Sequence, residues 1–476
     1  MKRYFLFTIM SVLLISCQQS LTPDQSDLAV PKNEVMTRAL STGKVGPDDP
    51  VVFLPAVDLK AWTNIGPLED RFAACEVPAS RLRNMTTEAL VKSMMSYPLN
   101  FMVCAYDDPK DAIDLIIQYS PLHQEFLSRS DAAEVFVDFY AGANLDMSLE
   151  KSDFDGNYTS LSYANAMFMD HFIASGLMTG LGKASVRQKL TEAVSKKLQE
   201  RLQDSETFSV YSIRPLVNIN VAESLGINVV ADGASARSEN RLPIPRNTEI
   251  YYAENIEASS AELNALTQMY TSNYPNAIVR GPSTMKYNSH SYAWYQSSTD
   301  NDKIIPSFYN GNFQLDDFWQ SGGLFSSCGD NTSAKIVYYS DSDHSAAKVS
   351  YNTYVSKWGY GPLMEHAPSY CPYIVTNMQY YLPRMNSGTR PISGNTPVAL
   401  NQANDYTISG SGEGFEYRCT VLFMDAPSPT PFELQQVSSN KYRLVCQDYG
   451  YFNMKYEGYY NDYCFERNTY GIICMP

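Results

Sequence analysis

The sequence predicts a multidomain chain with a helical N-terminal domain, an α+β domain in the middle and an all-β domain at the end. Three observations carry this. Apolar residues recur at helical spacing through residues 51–220. Residues 276–385 follow one helical stretch with several strand-like runs. Beyond about residue 390, apolar and polar residues alternate, with Gly, Ser, Pro and Asn between the runs. A chain of 476 residues also exceeds what one hydrophobic core ordinarily serves.

The first seventeen residues read as an export signal. Lys2 and Arg3 give a positive start, Tyr4 to Ile15 are apolar, and Leu14-Ile15-Ser16-Cys17 follows. The apolar run is too short to span a bilayer. The LISC string resembles a bacterial lipobox, which implies cleavage before Cys17 and lipidation of its thiol. The chain is therefore expected to be exported and lipid-anchored to the bacterial cell envelope, at the outer membrane. Residues 18–50 are polar, with Pro23, Pro31, Pro47 and Pro50, and read as a tether.

The helical domain is assigned to 51–220. Thr86 and Thr87 precede an apolar-periodic run to Leu99, and Ser128 or Ser130 precedes another to Ala143. In 183–206 the residues Leu190, Ala193, Val194, Leu198 and Leu202 form one stripe. His123 and His171 stand alone and read as structural. The second domain is assigned to 221–388. It holds a turn-rich stretch with a loop at 237–247, then a helix at 259–275 with a capping box from Ser259 to Glu262, closed by Pro275. The last domain, 389–476, has the texture of a small antiparallel β-sandwich of the Ig-like kind.

Bulk composition narrows the partners. A net charge of −15 with no basic patch excludes nucleic acid. The 35 tyrosines suit sugar or peptide contact, and equally an exposed β-sheet. None of the eight cysteines after Cys17 forms a C-x-x-C pair or sits at zinc spacing from a His, so neither a metal site nor a cofactor is expected. Export makes disulfides plausible, a Cys328–Cys371 bridge among them. The four cysteines of the last stretch allow three connectivities.

The chemistry-bearing stretch runs from 276 to 373. Asn276 to Gly281 is strand-like, and a helix starts at or near Ser289 within KYNSHSYAWY. Three strands are expected at Ala334–Tyr339, His344–Ser350 and Thr353–Trp358, with His344 entering the second after an acidic turn. A helix N-terminus offers partial positive charge and free N–H groups to a nucleophile and an oxyanion. A His on the facing strand can move the proton. That order is the layout of papain-like thiol hydrolases.

The strings YNSHSYAWY, DHSAAKVS and SKWGYGPLMEHAPSYCPY resemble the bacterial cell-wall amidase and peptidase group of the papain-like superfamily, of the NlpC and CHAP type. LEDRFAACEVP and MTTEALVKSMMSYPL resemble the helical companion of such domains. The resemblance covers roughly residues 60–385 and implies catalytic positions at Ser289, His344 and a third polar residue, Ser356 or Lys357. His290, Trp294, Trp358 and His366 become candidate substrate-lining residues. The expected partner is peptidoglycan or another envelope peptide or glycan. The chain departs from the family at the nucleophile, where Ser289 stands in place of Cys. A thiol near pKa 8.5 can wait as thiolate beside imidazolium, whereas a hydroxyl cannot. Three readings of Ser289 stand: an inactive nucleophile position, a working Ser–His nucleophile, or a helix cap. They correspond to a weakened amidase or peptidase, a Ser–His hydrolase, and a non-catalytic surface binding or adhesion protein.

Overall fold

A computed structural model describes residues 46–147, 160–178, 183–219, 240–245, 248–320, 323–387, 392–408, 415–423, 432–447 and 450–475. The signal segment, Cys17 and most of the tether lie outside them. Helices fill the N-terminal part and strands the C-terminal part, an α+β arrangement. Among the described residues no helix is long and apolar enough to cross a membrane.

The helices begin where their side chains can hold the first free N–H groups. Helix α1, Thr87–Met95, starts after Thr86, whose hydroxyl accepts from Ala89 N at 3.3 Å. Helices α2 (Pro109–Tyr119) and α3 (Pro121–Leu127) both open on proline, which tolerates the first turn. Helix α4 is Ala132–Gly142, α5 is Tyr163–Ala174 and α6 is Ala184–Gln203. On α6, Leu190, Ala193, Val194 and Leu198 are buried as the stripe predicts, but Leu202 is 51 % exposed. Its place is taken by Arg201, three residues past Leu198 on the same face. Arg201 pairs with Asp170 of α5 at 2.7 Å, and Tyr140 of α4 donates to the same carboxylate at 2.8 Å. A buried ion pair with its remaining lone pairs satisfied displaces a leucine from the core. Helix α7 is Val210–Asn218, and α8, Ser260–Asn273, carries the expected capping box between Ser259 and Glu262. The stretch expected as a loop at 237–247 contains a strand instead: Arg241–Ile244 pairs with Thr248–Tyr251.

The central sheet has seven strands: β1 Ile278–Gly281, β2 Phe325–Cys328, β3 Ile336–Tyr339, β4 His344–Ser350, β5 Thr353–Lys357, β6 Leu363–His366 and β7 Met378–Pro383. Their order is β1-β6-β5-β4-β3-β7-β2, with every pairing antiparallel. The register fixes two faces. Val337, Tyr339, His344, Ala346, Tyr354, Ser356, Met364 and His366 share the inner face, which packs on the helices. Ile336, Tyr338, Ser345, Ala347, Val355, Lys357 and Leu363 share the outer face. One apolar core runs from Val51 through the helices to Tyr339, Trp358 and Ile374. A second joins the outer face, through Trp294, Ile336 and Tyr381, to the C-terminal strands.

Helices and sheet meet at a glycine seam after β5. A Cβ on Gly361 would stand 2.0 Å from a ring carbon of Tyr270 on α8. One on Gly359, whose φ is +50°, would stand 2.4 Å from the Cys104 carbonyl. Tyr373 OH donates to Ala105 O at 2.8 Å and Tyr370 OH to Thr63 O at 2.6 Å across the same seam.

The C-terminal strands form two further sheets. One contains Glu416–Phe423, Gly450–Tyr460 and Tyr463–Met475; the other contains Ala403–Ile408, Lys441–Cys446 and Phe432–Ser438. In Gly450–Tyr460 every second residue from Phe452 onward is buried, the period-two signature of a half-covered strand. All eight described cysteines are free thiols, so the Cys328–Cys371 bridge is not formed.

Candidate functional site

The helix expected at Ser289 forms but is short. It runs from Ser289 to Tyr295 and closes as a π-turn, with Gln296 N donating to Ser291 O at 2.9 Å. π-turns concentrate at functional positions. Asn288, not Ser289, is its cap. Asn288 Oδ1 accepts from Ser291 N at 3.1 Å and Ser291 Oγ accepts from Asn288 N at 3.3 Å, a reciprocal box. Asn288 also ties the helix start to its surroundings, with Nδ2 donating to Asp107 Oδ2 at 2.6 Å and to Ile305 O at 2.9 Å. The cap reading of Ser289 is thereby corrected. The residue is 4 % exposed, and its hydroxyl instead accepts from Ser345 N on β4 at 3.4 Å.

Next to Ser289 a hydrogen-bond chain crosses the outer face. Trp294 Nε1 donates to Ser345 Oγ at 2.9 Å, and Ser345 Oγ lies 2.9 Å from His290 Nδ1. An indole N–H only donates, so Ser345 Oγ accepts from Trp294 and keeps both a second lone pair and its own hydrogen for the contact with Nδ1. Nε2 turns toward Asp343 Oδ1 at 3.5 Å. Asp343 sits at φ +44°, a left-handed conformation that Asp tolerates, and accepts from Tyr338 OH at 2.9 Å and from Ser307 Oγ.

Two further ionisable groups border this chain. Lys357, fully buried on the same face, donates to Gly359 O at 2.7 Å and to Gly361 O at 2.5 Å, and lies 5.4 Å from the Tyr287 ring. Burial lowers its pKa to about 7, against the opposing charges of Asp107 and Glu257. Asp107 is exposed, and its carboxylate accepts from Asn288 Nδ2. Loss of water around the carboxyl raises its pKa, against the His290 charge and the Asn288 hydrogen bond.

His344 lies on the inner face. Its ring stacks on Tyr373 at 3.5 Å and 15°, and its Nε2 is buried with no hydrogen-bond partner. Burial, then the charges of His290 and His366, hold its pKa well below the ordinary histidine value. Ser289 and His344 share no hydrogen bond. Ser356 is also on the inner face, where its hydroxyl accepts from Trp358 Nε1 at 3.0 Å and lies 2.9 Å from His366 Nε2. His366 Nδ1 lies 2.8 Å from Ala367 O; a carbonyl only accepts, so Nδ1 carries the hydrogen and Nε2 takes that of Ser356. Burial lowers the His366 pKa to about 4.

The structure thus brings Ser289, His290, Trp294 and Lys357 together on one face and places His344, Ser356, Trp358 and His366 on the other. His290, Trp294, Trp358 and His366 are each at most 3 % exposed, so none offers surface to a bound substrate in this conformation. Trp294 packs instead among Phe318, Trp319, Phe325 and Tyr381. Sequence reasoning did not single out Asn288, Asp107 or Ser345. The Asn at the residue before Ser289, with Ser three positions later, was a readable cap signal; the other two are placed by tertiary contacts. Among the described residues no group of His, Cys, Asp and Glu converges as a metal site. No family model, curated protein or solved structure matches the chain.

Proposed function

We propose that this is a cell-envelope protein, tethered at Cys17, whose middle region is a papain-like amidase or peptidase scaffold that binds peptidoglycan-like peptide or glycan without turning it over. The C-terminal strands are read as an Ig-like sandwich that presents this region. The carrying observation is the state of Ser289. Its hydroxyl accepts from a backbone N–H, and the histidine expected to activate it is stacked on Tyr373 on the other side of the sheet. A hydroxyl needs a base at the moment of attack, and none is hydrogen-bonded to it. The order of helix, β3, β4 and β5 supports the scaffold, and the LISC string supports the tether.

The test pairs turnover with binding. The purified chain and its Ser289→Ala variant are each mixed with peptidoglycan sacculi and with a fluorophosphonate probe. The expected outcome is equal co-sedimentation of both proteins, no soluble fragments and no labelling. Fragment release by the parent that disappears in Ser289→Ala would establish a working serine hydrolase, and absence of co-sedimentation would remove the binding reading.

A further inference from the structure

At a site that does not include Ser289, the N-terminal segment Pro50–Thr63, the loop after α1, the start of α5 and the end of α8 line a part-open cavity of about 610 Å³. Small-molecule sites typically measure about 300–1,000 Å³ and are mainly apolar with a few polar groups. This one fits that description. Its walls are Val51, Phe53, Trp62, Met95 and Phe101, all at most 5 % exposed. Its rim carries Val52 and Leu59, which are 55 % and 53 % exposed. Paired apolar side chains at the mouth of an apolar cavity are surface that a ligand would cover.

The charge at the mouth selects the ligand class. Lys60 is the one charged side chain among the lining residues, it is exposed, and it makes no ion pair among the described residues. That stands out on a chain whose net charge is −15. Asn100, 1 % exposed, lines the same cavity; its Nδ2 donates to Met94 O and Asn165 Oδ1, while its Oδ1 has no hydrogen-bond partner.

We infer that this cavity binds a single-chain amphiphile, with its apolar body against Phe53 and Trp62 and its anionic head at Lys60. The ligand is a free alkyl acid rather than a bilayer lipid, because one apolar cavity and one cation accommodate one chain and one charge.

Calorimetric titration of the purified protein with octanoate, decanoate and dodecanoate tests this. The expected result is saturable one-to-one binding that tightens by about fourfold for each added methylene until the cavity is filled. Lys60→Glu, at an exposed position, is expected to weaken dodecanoate by about threefold to tenfold while leaving dodecanol unchanged. Ala56→Trp, at the exposed rim, is expected to abolish binding of all four ligands with an unaltered melting temperature. Absence of saturable binding overturns the assignment. So does dodecanoate binding that survives Ala56→Trp, or that is indifferent to Lys60→Glu.

Discussion

The two faces of the central sheet carry the same hydrogen-bonded motif with different endings. On the outer face Trp294 donates to Ser345, which is bonded to His290, and His290 faces the carboxylate of Asp343. On the inner face Trp358 donates to Ser356, which is bonded to His366, and His366 ends on the Ala367 carbonyl. A chain that ends on a carbonyl fixes a neutral ring and serves as a strut. A chain that ends on a carboxylate faces a charge and can answer to one. Only the second runs beside Ser289, Lys357 and Asp107. The difference teaches that a tryptophan, a serine and a histidine in line do not make a site; the group at the end of the line distinguishes the two.

The largest expected effect separates the faces by pH. His123, His344 and His366 all lie on the helical side of the sheet, and burial depresses all three, His123 to about 3 and His366 to about 4. They remain neutral when folded and take up protons when unfolded. Their contribution is present above the unfolded value near 6.5 and is lost as pH falls toward 4. Each adds a slope of up to about 1.4 kcal/mol per pH unit. Urea unfolding at pH 7, 6 and 5 should show this steep loss, and His366→Gln should flatten it by one histidine's share; an unchanged slope would break the assignment of a neutral inner face.

The outer face should answer in the opposite pH range. Lys357 has a folded pKa of about 7 against an unfolded value of 10.5, so the unfolded chain binds the extra proton between these values. Stability contributed at this residue therefore rises with pH from about 7 to 9, by up to roughly 2–3 kcal/mol. Lys357→Met should remove that rise in urea unfolding repeated at pH 7, 8 and 9.

Smaller effects probe the two chains directly. Ser345→Ala and Ser356→Ala each leave a buried indole N–H without its acceptor, at a cost of about 1–3 kcal/mol. Similar losses are expected on the two faces, because the middle of the chain is the same in both. The smallest change is Asp343→Asn. Asn tolerates the left-handed backbone and still accepts from Tyr338, so the substitution isolates the charge at a 42 % exposed side chain. A cost below about 1 kcal/mol is expected, together with a shift of the His290 ring protons in NMR spectra that no variant of Ala367's neighbours would reproduce.

The histidines and tryptophans of the two faces were legible in the sequence; Ser345, and which face each residue takes, were not. Thr86, the Ser259–Glu262 box and the α6 stripe placed helices because caps and periodicity are local. The strands at 336–339, 344–350 and 353–357 were found by composition and turn signals. Which way His344 points depends on parity, and a one-residue change reverses it. A half-exposed strand declares its parity through alternation. In His344 to Ala347 every residue is buried, so the alternation is silent. The left-handed turn at Asp343, which sets where β4 begins, leaves no apolar pattern either. Likewise Leu202 and Arg201 are both one turn past Leu198, and only the distant Asp170 decides between them.

The glycine seam after β5 bears on how such a chain can be inherited. Gly359 and Gly361 admit the Cys104 carbonyl and the Tyr270 ring with no room for even a methyl group between them. A recombinant chimera that joined this sheet to helices from another lineage would need that fit to the width of one carbon atom. Gene shuffling should therefore transmit helices and sheet as a single cassette, while the loops remote from the seam remain free to diverge.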